Sequence, residues 1–467
     1  MISEKDLKRR DKILNGNLIM TIISICAPIF LYNLFNSFYA IIDAVVVSKI
    51  NPTSVSAVAS LSQLQHLLSS LGSGLAAGGG ILVARQFGAG DMEKARYLSN
   101  QTISLSNIII VLLLGICVPF AVPIMKLSGV PDELISIGTS YFVVQVITLT
   151  FVFYNSVFMA MQKAKGNTKI MFWLNILAMM VKLSLSVLFI WVIGFRDIVW
   201  VAISTLIGQM VMFAVLLSMM LQRDNVFIIK LEEFKLKKQE IKSILSMSLP
   251  IFLGKFIFSF GKVSINAMCK AYGPLVVGAL GVSNNINGMV TTPINSFEEG
   301  TSTIISQNIG ANNIKRAIKT FKYSFFMAVA LGIIGYILVR FICQDAIINL
   351  YNQNAQAEDT AMFLALIKSI HRYDSLSILA LAVNSAVLGV LYGFGQTKMT
   401  MILNISRVFV FRIPVLWYLQ TFHKEIGAEA AGISMGISNI CIAIASLTCL
   451  GIFLLKVKKK GYENMTT

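Results

Sequence analysis

Asp43 is the residue of this sequence best placed to do ion chemistry. It stands in the first long apolar stretch, seven residues after Asn36 and ten after Asn33. Because such spacings put side chains on one face of a helix, the three polar groups form one stripe. A carboxylate in a low-dielectric cleft holds a proton more strongly than one in water, which a proton-coupling group requires. A static, paired acid is the alternative.

A second set of charges occupies apolar stretches of the second half. Lys255 and Lys262 are seven residues apart and share a helix face, and Glu298 and Glu299 follow on the next stretch. A Lys262–Glu298 or Lys255–Glu299 ion pair would make them structural. The alternative is that the excess of lysine over glutamate lines a site for an anionic group.

Charged residues are unusually frequent inside the apolar stretches. Each one at the centre of a bilayer costs at least ~2.5 kcal/mol, so it is retained where it faces water or another charge. Seven basic residues and four acids are placed this way: Lys182, Lys255, Lys262, Lys368, Arg372, Arg407, Arg412, Asp43, Glu298, Glu299 and Asp374. The excess of cations predicts a water-filled cavity that binds a small-molecule substrate, and it is compatible with an anionic group on that substrate.

Composition places the chain in a lipid bilayer. It has 56% hydrophobic and 13% charged residues and a mean hydropathy of +0.75, whereas soluble proteins carry about 25% charged residues. The net charge of +17 does not indicate nucleic acid, because the basic residues lie in short clusters between apolar runs. Six cysteines without a CxxC pair and three histidines without HExxH or GxSxG predict no metal, no cofactor and no enzyme.

Twelve stretches are long enough to cross a membrane, which takes about 20 apolar residues. They are residues 17–48, 54–85, 99–125, 133–162, 169–194, 197–222, 243–270, 276–307, 318–342, 360–392, 399–420 and 427–455. A polar linker at 223–242 separates an N-lobe, 1–222, from a C-lobe, 243–467. With the N-terminus inside, 26 Lys and Arg lie on the inner side and six on the outer. This asymmetry predicts a multi-pass plasma-membrane protein with both termini in the cytoplasm.

The two halves repeat one another. PIFL begins at Pro28 and again at Pro250, and the same offset carries Gly88-Ala89 onto Gly310-Ala311. Since each half has an even number of spans, the repeat is parallel, about an axis along the membrane normal. The two prolines predict matched kinks, and Pro28 and Pro250 are candidate hinges.

The sequence resembles the multidrug and toxic compound extrusion (MATE) family of secondary transporters. The resemblance rests on P-x(14)-D from Pro28 to Asp43, on GAGDMEKA and its echo GANNIKRA, on the GNTK and GQTK loops, and on Arg412-Ile413-Pro414. It covers nearly the whole chain. It implies an all-α membrane protein with 12 transmembrane helices in two six-helix bundles that form a V. It also implies export driven by a proton or sodium gradient through alternating access.

The resemblance assigns ion coupling to Asp43 and shows a departure in the fifth span. Many members carry an Asn and an Asp there, at positions that correspond to Lys182 and Ser186. Asn175 lies seven residues before Lys182 on the same face, and Thr205 matches a polar residue of the sixth span. An ammonium group near Asp43 would replace a bound sodium ion, which favours proton coupling. Lys182 either pairs with Asp43 or faces the cavity and binds substrate.

Three functions are compatible with these features. The first is an ion-coupled exporter of amphipathic small molecules, acting as a monomer in the bilayer. The second is a flippase for an anionic lipid-linked precursor, since the wider superfamily includes flippases for lipid-linked sugars. The third is a membrane-embedded enzyme, which the lack of catalytic motifs disfavours.

Overall fold

Helices are the only regular secondary structure in the part of the chain that the structure, a computed structural model, describes. That part comprises residues 3–48, 52–127, 132–195, 197–349 and 357–460. The helices of the first half are α1 (Glu4–Asn15), α2 (Leu18–Ser48), α3 (Pro52–Ala89), α4 (Met92–Cys117), α5 (Ala121–Leu127), α6 (Asp132–Ala164), α7 (Thr168–Val187) and α8 (Val199–Met220).

The second half adds ten α-helices. They are α9 (Lys238–Cys269), α10 (Pro274–Ile294), α11 (Ser296–Gly310), α12 (Ile314–Ile337), α13 (Gln344–Asn349), α14 (Ala357–Asp374), α15 (Ser377–Gly393), α16 (Thr397–Ser406), α17 (Ile413–Phe422) and α18 (Glu429–Lys460). Short π-helical segments follow α7, α12 and α16, at Leu188–Val192, Leu338–Ile342 and Arg407–Arg412. Ten described helices are long and apolar enough to cross a membrane, and the bent pair α14–α15 makes an eleventh candidate span.

Three of the predicted spans are broken rather than continuous. The third, 99–125, is interrupted at residues 118–120 between α4 and α5. The eighth, 276–307, is divided at Asn295 between α10 and α11, just after Pro293. A proline inside a helix removes a backbone hydrogen bond and favours such a break. The tenth, 360–392, bends by 45° between α14 and α15. Pro28 and Pro250 both lie inside continuous helices, α2 and α9, and their role as hinges stays a prediction.

The sequence repeat is reproduced in the turns. Gly166 and Gly395, the first residues of the GNTK and GQTK loops, both adopt a positive φ, +79° and +77°. Each is followed by an amide that donates to a carbonyl five residues back, at 2.8 and 2.7 Å, which is the Schellman end of a helix. Gly90 has its counterpart in Asn312, at the offset that relates Pro28 to Pro250, and their φ angles are +87° and +56°. Asparagine is the side chain that tolerates this backbone region best after glycine.

Unit 1 is one of two compact units, and it comprises Met1–Phe252 and Ser306–Asn313. Its core contains Phe87, Phe158 and Phe227 in one cluster and Phe142 and Phe153 in another. The linker predicted at 223–242 packs on α4 inside this unit. Glu233 pairs with Arg96 at 2.9 Å and accepts from the amide of Asn100 at 2.6 Å.

Unit 2 comprises Leu253–Ile305 and Ile314–Thr467. Its core is aliphatic, and Ile265, Leu280, Ile367 and Leu416 are among its fully buried members. The division between units falls at Phe252–Leu253, inside α9, rather than within the predicted linker. The break in the tenth span lies in unit 2, and Asp374 lies at this break.

Candidate functional site

Asp374 is a buried carboxylate at the break between α14 and α15 in unit 2, with 2% of its surface exposed. One carboxylate oxygen accepts from the Ser283 hydroxyl at 2.8 Å, and the other from the Ser377 hydroxyl at 3.1 Å. The break frees the backbone carbonyl of Asp374, which accepts from the amide of Asn287 at 3.0 Å. Both groups that donate to this carboxylate are therefore neutral hydroxyls.

Arg407 and Arg412 converge on one acceptor. Arg407 Nε donates to Asn439 Oδ1 at 2.7 Å, and Arg412 Nη2 donates to the same oxygen at 3.1 Å. In an α-helix, residues five apart point about 140° away from one another, at 100° per residue. The segment Arg407–Arg412 is π-helical, and its wider turn brings residues five apart back to one side. The π-helix is therefore what pairs the two guanidinium groups.

Asn439 joins the arginines to the carboxylate. Its amide nitrogen donates to Ser377 Oγ at 2.8 Å, and Ser377 Oγ donates to Asp374. Arg412 also donates to Ser438 Oγ at 3.0 Å and is 2% exposed. A continuous hydrogen-bonded path therefore links one carboxylate to two guanidinium groups through an amide and a hydroxyl. Any change of charge on Asp374 reaches both arginines through this path.

Lys368 and Arg372, on the same helix as Asp374, lie outside this network. Lys368 Nζ pairs with Asp345 at 2.8 Å where both side chains are at least half exposed, and Arg372 is exposed beside the Tyr373 ring. His371 is buried, and its Nδ1 lies 3.3 Å from Ser283 Oγ. Its Nε2 has no hydrogen-bond partner in the described part of the chain. Of the residues around Asp374 on this helix, Lys368 and Arg372 lie outside the network, and His371 contacts it through Ser283.

Lys262 and Arg407 share one aromatic ring. Lys262 Nζ lies 5.0 Å from the centroid of Phe258, and Arg407 Cζ lies 4.8 Å from it. Neither Lys255 nor Lys262 forms an ion pair with a carboxylate within the described ranges. The bridges to Glu298 and Glu299 considered from the sequence are therefore not formed in this structure. Both glutamates are half-buried in α11.

The side chain of Asp43 lies outside the described residues, although its backbone is part of α2. Lys182 of α7 lies over the ring of Tyr39, with Nζ 5.1 Å from the centroid. Tyr39 precedes Asp43 by one helical turn, so the lysine approaches the same face of α2. Asn36 is exposed and Asn33 half-buried on that helix.

The polar residues predicted beside Lys182 behave differently from one another. Asn175 donates to the carbonyl of Met171 at 2.7 Å, and Thr205 to that of Val201 at 2.9 Å. Both bonds stay within the residue's own helix. The Ser186 hydroxyl is fully buried without a hydrogen-bond partner among the described atoms. Asn175, Thr205 and Ser186 therefore make no hydrogen bond to one another, and their part in ion coupling stays a prediction.

A buried ion pair lies in unit 1, at the N-terminal helix. Lys165 Nζ donates to Asp6 Oδ2 and to Asn225 Oδ1, both at 3.1 Å. Arg10 donates to the carbonyls of Phe87 and Gly88 at 2.9 and 2.7 Å, where α3 ends. Burial lowers the pKa of Lys165, and attraction to Asp6 opposes that shift. The helix α1 is thereby fastened to the ends of α3 and α6.

Removing Asp6 is expected to destabilise unit 1. Asp6→Ala leaves the Lys165 ammonium group buried without its anion, a change that typically costs about 3–5 kcal/mol. We expect a clear fall in the melting temperature of the purified protein. Glu4→Ala is the matched control, because Glu4 pairs with Lys8 on the same helix where both side chains are at least 75% exposed. Equal melting temperatures for the two variants would contradict the stabilising role of the buried pair.

A helix crossing in unit 1 joins the two copies of the repeat. A Cβ placed on Gly88 would lie 2.1 Å from the carbonyl oxygen of Gln307, and one on Gly310 would lie 1.8 Å from that of Arg85. Both contacts obey the repeat, because Gln307 is the counterpart of Arg85 and Gly310 is the counterpart of Gly88. Gln307 Nε2 also donates to the carbonyl of Ala164 at 2.6 Å. The segment Ser306–Asn313 therefore packs on α3 through small residues on both sides.

Sequence reasoning missed the neutral members of the unit 2 network and the whole N-terminal pair. Ser283, Ser377 and Asn439 are common polar residues, and no motif marks them. Asp6 and Lys165 stand outside the apolar stretches, where charged residues are expected to set membrane orientation. The only indication for Asp6 in the sequence is that it is an acidic residue in the first turn of a helix rich in basic residues.

The fold and the buried charges define a multi-pass helical membrane protein. The sequence matches the MatE family over residues 28–188 and again over 250–418, two copies that begin at Pro28 and Pro250, the first residues of the repeated PIFL. The chain belongs to the MatE family. Members of this family are transporters and not enzymes.

Two curated relatives align with this chain over nearly their whole length. The chain is 22% identical over 442 residues to the probable multidrug resistance protein YoeA of Bacillus subtilis (strain 168), which covers 93% of both chains. It is 20% identical to the multidrug export protein MepA of Staphylococcus aureus (strain bovine RF122 / ET3-1), with 92% of each chain covered.

Solved structures share the fold at low identity. An outward-facing multidrug resistance MATE family transporter aligns with a TM-score of 0.90 at 19% identity, over 98% of this chain and 100% of that one. A MOP superfamily transporter from Pyrococcus furiosus Vc1 (DSM3638), described by a reverse polarity of its binding pocket, gives 0.91 at 19% identity with the same coverage. The predicted 12-helix, two-bundle fold is thereby confirmed.

Proposed function

We propose that this protein exports amphipathic small molecules across the plasma membrane by secondary active antiport. The observation that carries the proposal is the charge network in unit 2, where Asp374 is linked to Arg407 and Arg412 deep in the helical bundle. Buried charges within spans are costly, and coupled transport is a common reason for their presence. Family membership and the multidrug names of two curated relatives support the same conclusion.

The ion that drives export is, in this proposal, the proton. Lys182 lies over the ring of Tyr39, one helical turn before Asp43. A bound sodium ion requires oxygen ligands, and here a positively charged ammonium group approaches that part of α2 instead. Protonation of Asp43 then weakens its attraction to Lys182, and deprotonation restores it. This exchange supplies the two states that alternating access requires. No other cofactor takes part.

Lys182→Ala tests the role of the lysine in proton coupling. Wild-type export should change with external pH, because protonation of Asp43 competes with its attraction to Lys182. The variant should lose most of that dependence while it still binds substrate. Transport assays at several external pH values provide the measurement. An unchanged pH profile would contradict the pairing of Lys182 with Asp43 and favour a lysine that binds substrate.

The protein acts, in this proposal, as a monomer in the bilayer with both termini in the cytoplasm. The orientation rests on the 26 basic residues of the inner segments against six of the outer ones. The basic clusters serve that orientation rather than nucleic acid binding. The partners are the lipid and the small-molecule substrate.

A drug-susceptibility panel in a host that lacks its own multidrug pumps tests export directly. We expect expression of the protein to raise resistance to several amphipathic compounds of unrelated structure. Expression of Asp43→Asn should not. Equal susceptibility with and without the wild-type protein would contradict drug export.

A flippase for an anionic lipid-linked precursor is the second candidate function. The observation that favours it is the group of three cations, Lys262, Arg407 and Arg412, inside the spans of unit 2. A flippase would leave drug susceptibility unchanged in the same panel and would move a labelled anionic lipid between leaflets of a vesicle.

A further inference from the structure

One stripe of α9 is polar although it lies within a span. Phe256, Phe260 and Val263 form the exposed apolar face of the helix, at 36%, 54% and 44% exposure. At 100° per residue, Lys255, Lys262 and Asn266 form a second stripe about 100° around the helix from that face. Lys262 is exposed on this second stripe. An ammonium group on this stripe requires water or a polar partner, because one that faces lipid is costly.

The ring of Phe258 holds two cations close together. Lys262 and Arg407 both lie within 5.0 Å of its centroid. The ring attracts each of them, but it cannot cancel their charges. Arg412 also lies near enough to repel Lys262. Two cations therefore share one aromatic ring, and a third lies close enough to act on Lys262.

The acids nearby offset this charge incompletely. Asp374 and Glu298 lie near enough to attract Arg407, so three positive groups stand against two negative ones. Both oxygens of Asp374 accept from serine hydroxyls, and Asn439 and Ser377 separate it from the arginines. The group of Lys262, Arg407 and Arg412 therefore keeps a net positive charge.

Lys262 and Arg407 also keep hydrogen-bond donors that no described acceptor uses. Arg407 donates through its Nε to Asn439, while its two Nη groups donate to no described atom. Lys262 has no hydrogen bond within the described ranges. An ammonium group has three donors and a guanidinium group presents a fork that suits a carboxylate or a sulfonate. These donors and the apolar Phe258 face together match an anion attached to an apolar body.

We propose that Lys262, Arg407 and Phe258 form a binding subsite for the anionic group of an amphipathic molecule. This inference rests on the proposed function, since it names the class of substrate that the transporter accepts. The anion binds the ammonium and guanidinium groups, and the apolar body lies against the ring. An organic anion and an anionic lipid headgroup share this chemistry.

A pair of matched dansyl probes tests the subsite by direct binding. N-dansyl-6-aminohexanoate and dansylcadaverine carry the same fluorophore and linker but end in a carboxylate and an ammonium group. Fluorescence titration of the full-length protein in phosphatidylcholine nanodiscs needs no ion gradient. We expect the carboxylate probe to bind about tenfold more tightly than the ammonium probe, a difference typical of one charge-assisted contact.

Substitutions test whether Lys262 and Arg407 cause the preference for the carboxylate probe. Lys262→Gln and Arg407→Gln should each weaken binding of the carboxylate probe about tenfold and leave the ammonium probe unchanged or improved. Arg407→Lys keeps the charge and should retain part of the affinity. Lys319→Gln is the control, because Lys319 is exposed at the start of α12 and its substitution removes the same charge. Lys262→Gln serves alone if Arg407→Gln fails to fold.

The results separate the subsite from the transport proposal. Equal affinity for both probes, or a carboxylate affinity unaffected by Lys262→Gln and Arg407→Gln, would overturn the subsite even if export is observed. A carboxylate preference that depends on both residues supports the subsite even if no gradient drives export. Nanodiscs containing phosphatidylglycerol identify the source of the anion. Competition by this lipid identifies a headgroup as the occupant, and unchanged binding identifies a free organic anion.

Discussion

Gly310→Ala is expected to reduce export about tenfold. A Cβ at this position would lie 1.8 Å from the carbonyl oxygen of Arg85 and 3.0 Å from the amide nitrogen of Ala89. Both are backbone atoms, so no side-chain rotation can make room. Forcing an extra methyl group into close packing costs about 1–3 kcal/mol, and about 1.4 kcal/mol corresponds to a tenfold change in population. The variant therefore populates the state in which Ser306–Asn313 packs on α3 about tenfold less, and a transport cycle that needs this state slows accordingly.

Gly115→Ala is the matched control for this substitution. Gly115 lies in α4, and a Cβ there would have no atom within 4 Å. Alanine also favours a helix by about 1 kcal/mol relative to glycine, so the control should be as active and at least as stable as the wild type. Gly88→Ala should reproduce the defect, because Gly88 meets the backbone of Gln307 in the same crossing. Full export by Gly310→Ala would show that this packed state has no part in the cycle.

Asp43→Asn is expected to abolish gradient-driven export while substrate binding persists. Asparagine has the size and polarity of a protonated aspartate but cannot release a proton, so it fixes α2 in one of the two coupled states. We expect at least a tenfold loss of efflux from vesicles after a pH step. Binding of the dansyl probes should change less than twofold, because the proposed subsite lies in unit 2.

Glu93→Gln provides the comparison for the loss of one carboxylate charge. Glu93 is exposed in the first turn of α4 and lies outside the predicted spans. It should retain wild-type export. Proton-driven export by Asp43→Asn at the wild-type rate would assign coupling to another carboxylate, and the buried Asp374 would become the first residue to test in its place.

The fold could be predicted from the sequence because bilayer spans leave a strong signal. Stretches of about 20 apolar residues mark helices in a membrane, and the repeat from Pro28 to Pro250 predicts that the two halves share their turns. Gly166 and Gly395 adopt the same backbone geometry, as that repeat requires. The breaks at Asn295 and at residues 375–376 were not predicted, since mean hydropathy does not register where a helix is interrupted.

The candidate site was less predictable than the fold. Apolar surroundings marked Asp374, Arg407 and Arg412 as unusual, but not which neutral groups would hold them. Their arrangement depends on the π-helical turn Arg407–Arg412, and the extra residue of a π-turn has no regular sequence signature. Glu298, the partner considered for Lys262, was chosen by sequence position alone, and an aromatic ring and an arginine lie beside the lysine instead.

Reconstituted transport under separate gradients tests the central claim most directly. Purified protein in proteoliposomes would be given a proton gradient without sodium, and then a sodium gradient at equal pH on both sides, with an amphipathic substrate as cargo. We predict that the proton gradient alone drives accumulation and that the sodium gradient alone does not. Accumulation driven by sodium alone, or by neither ion, would contradict the account.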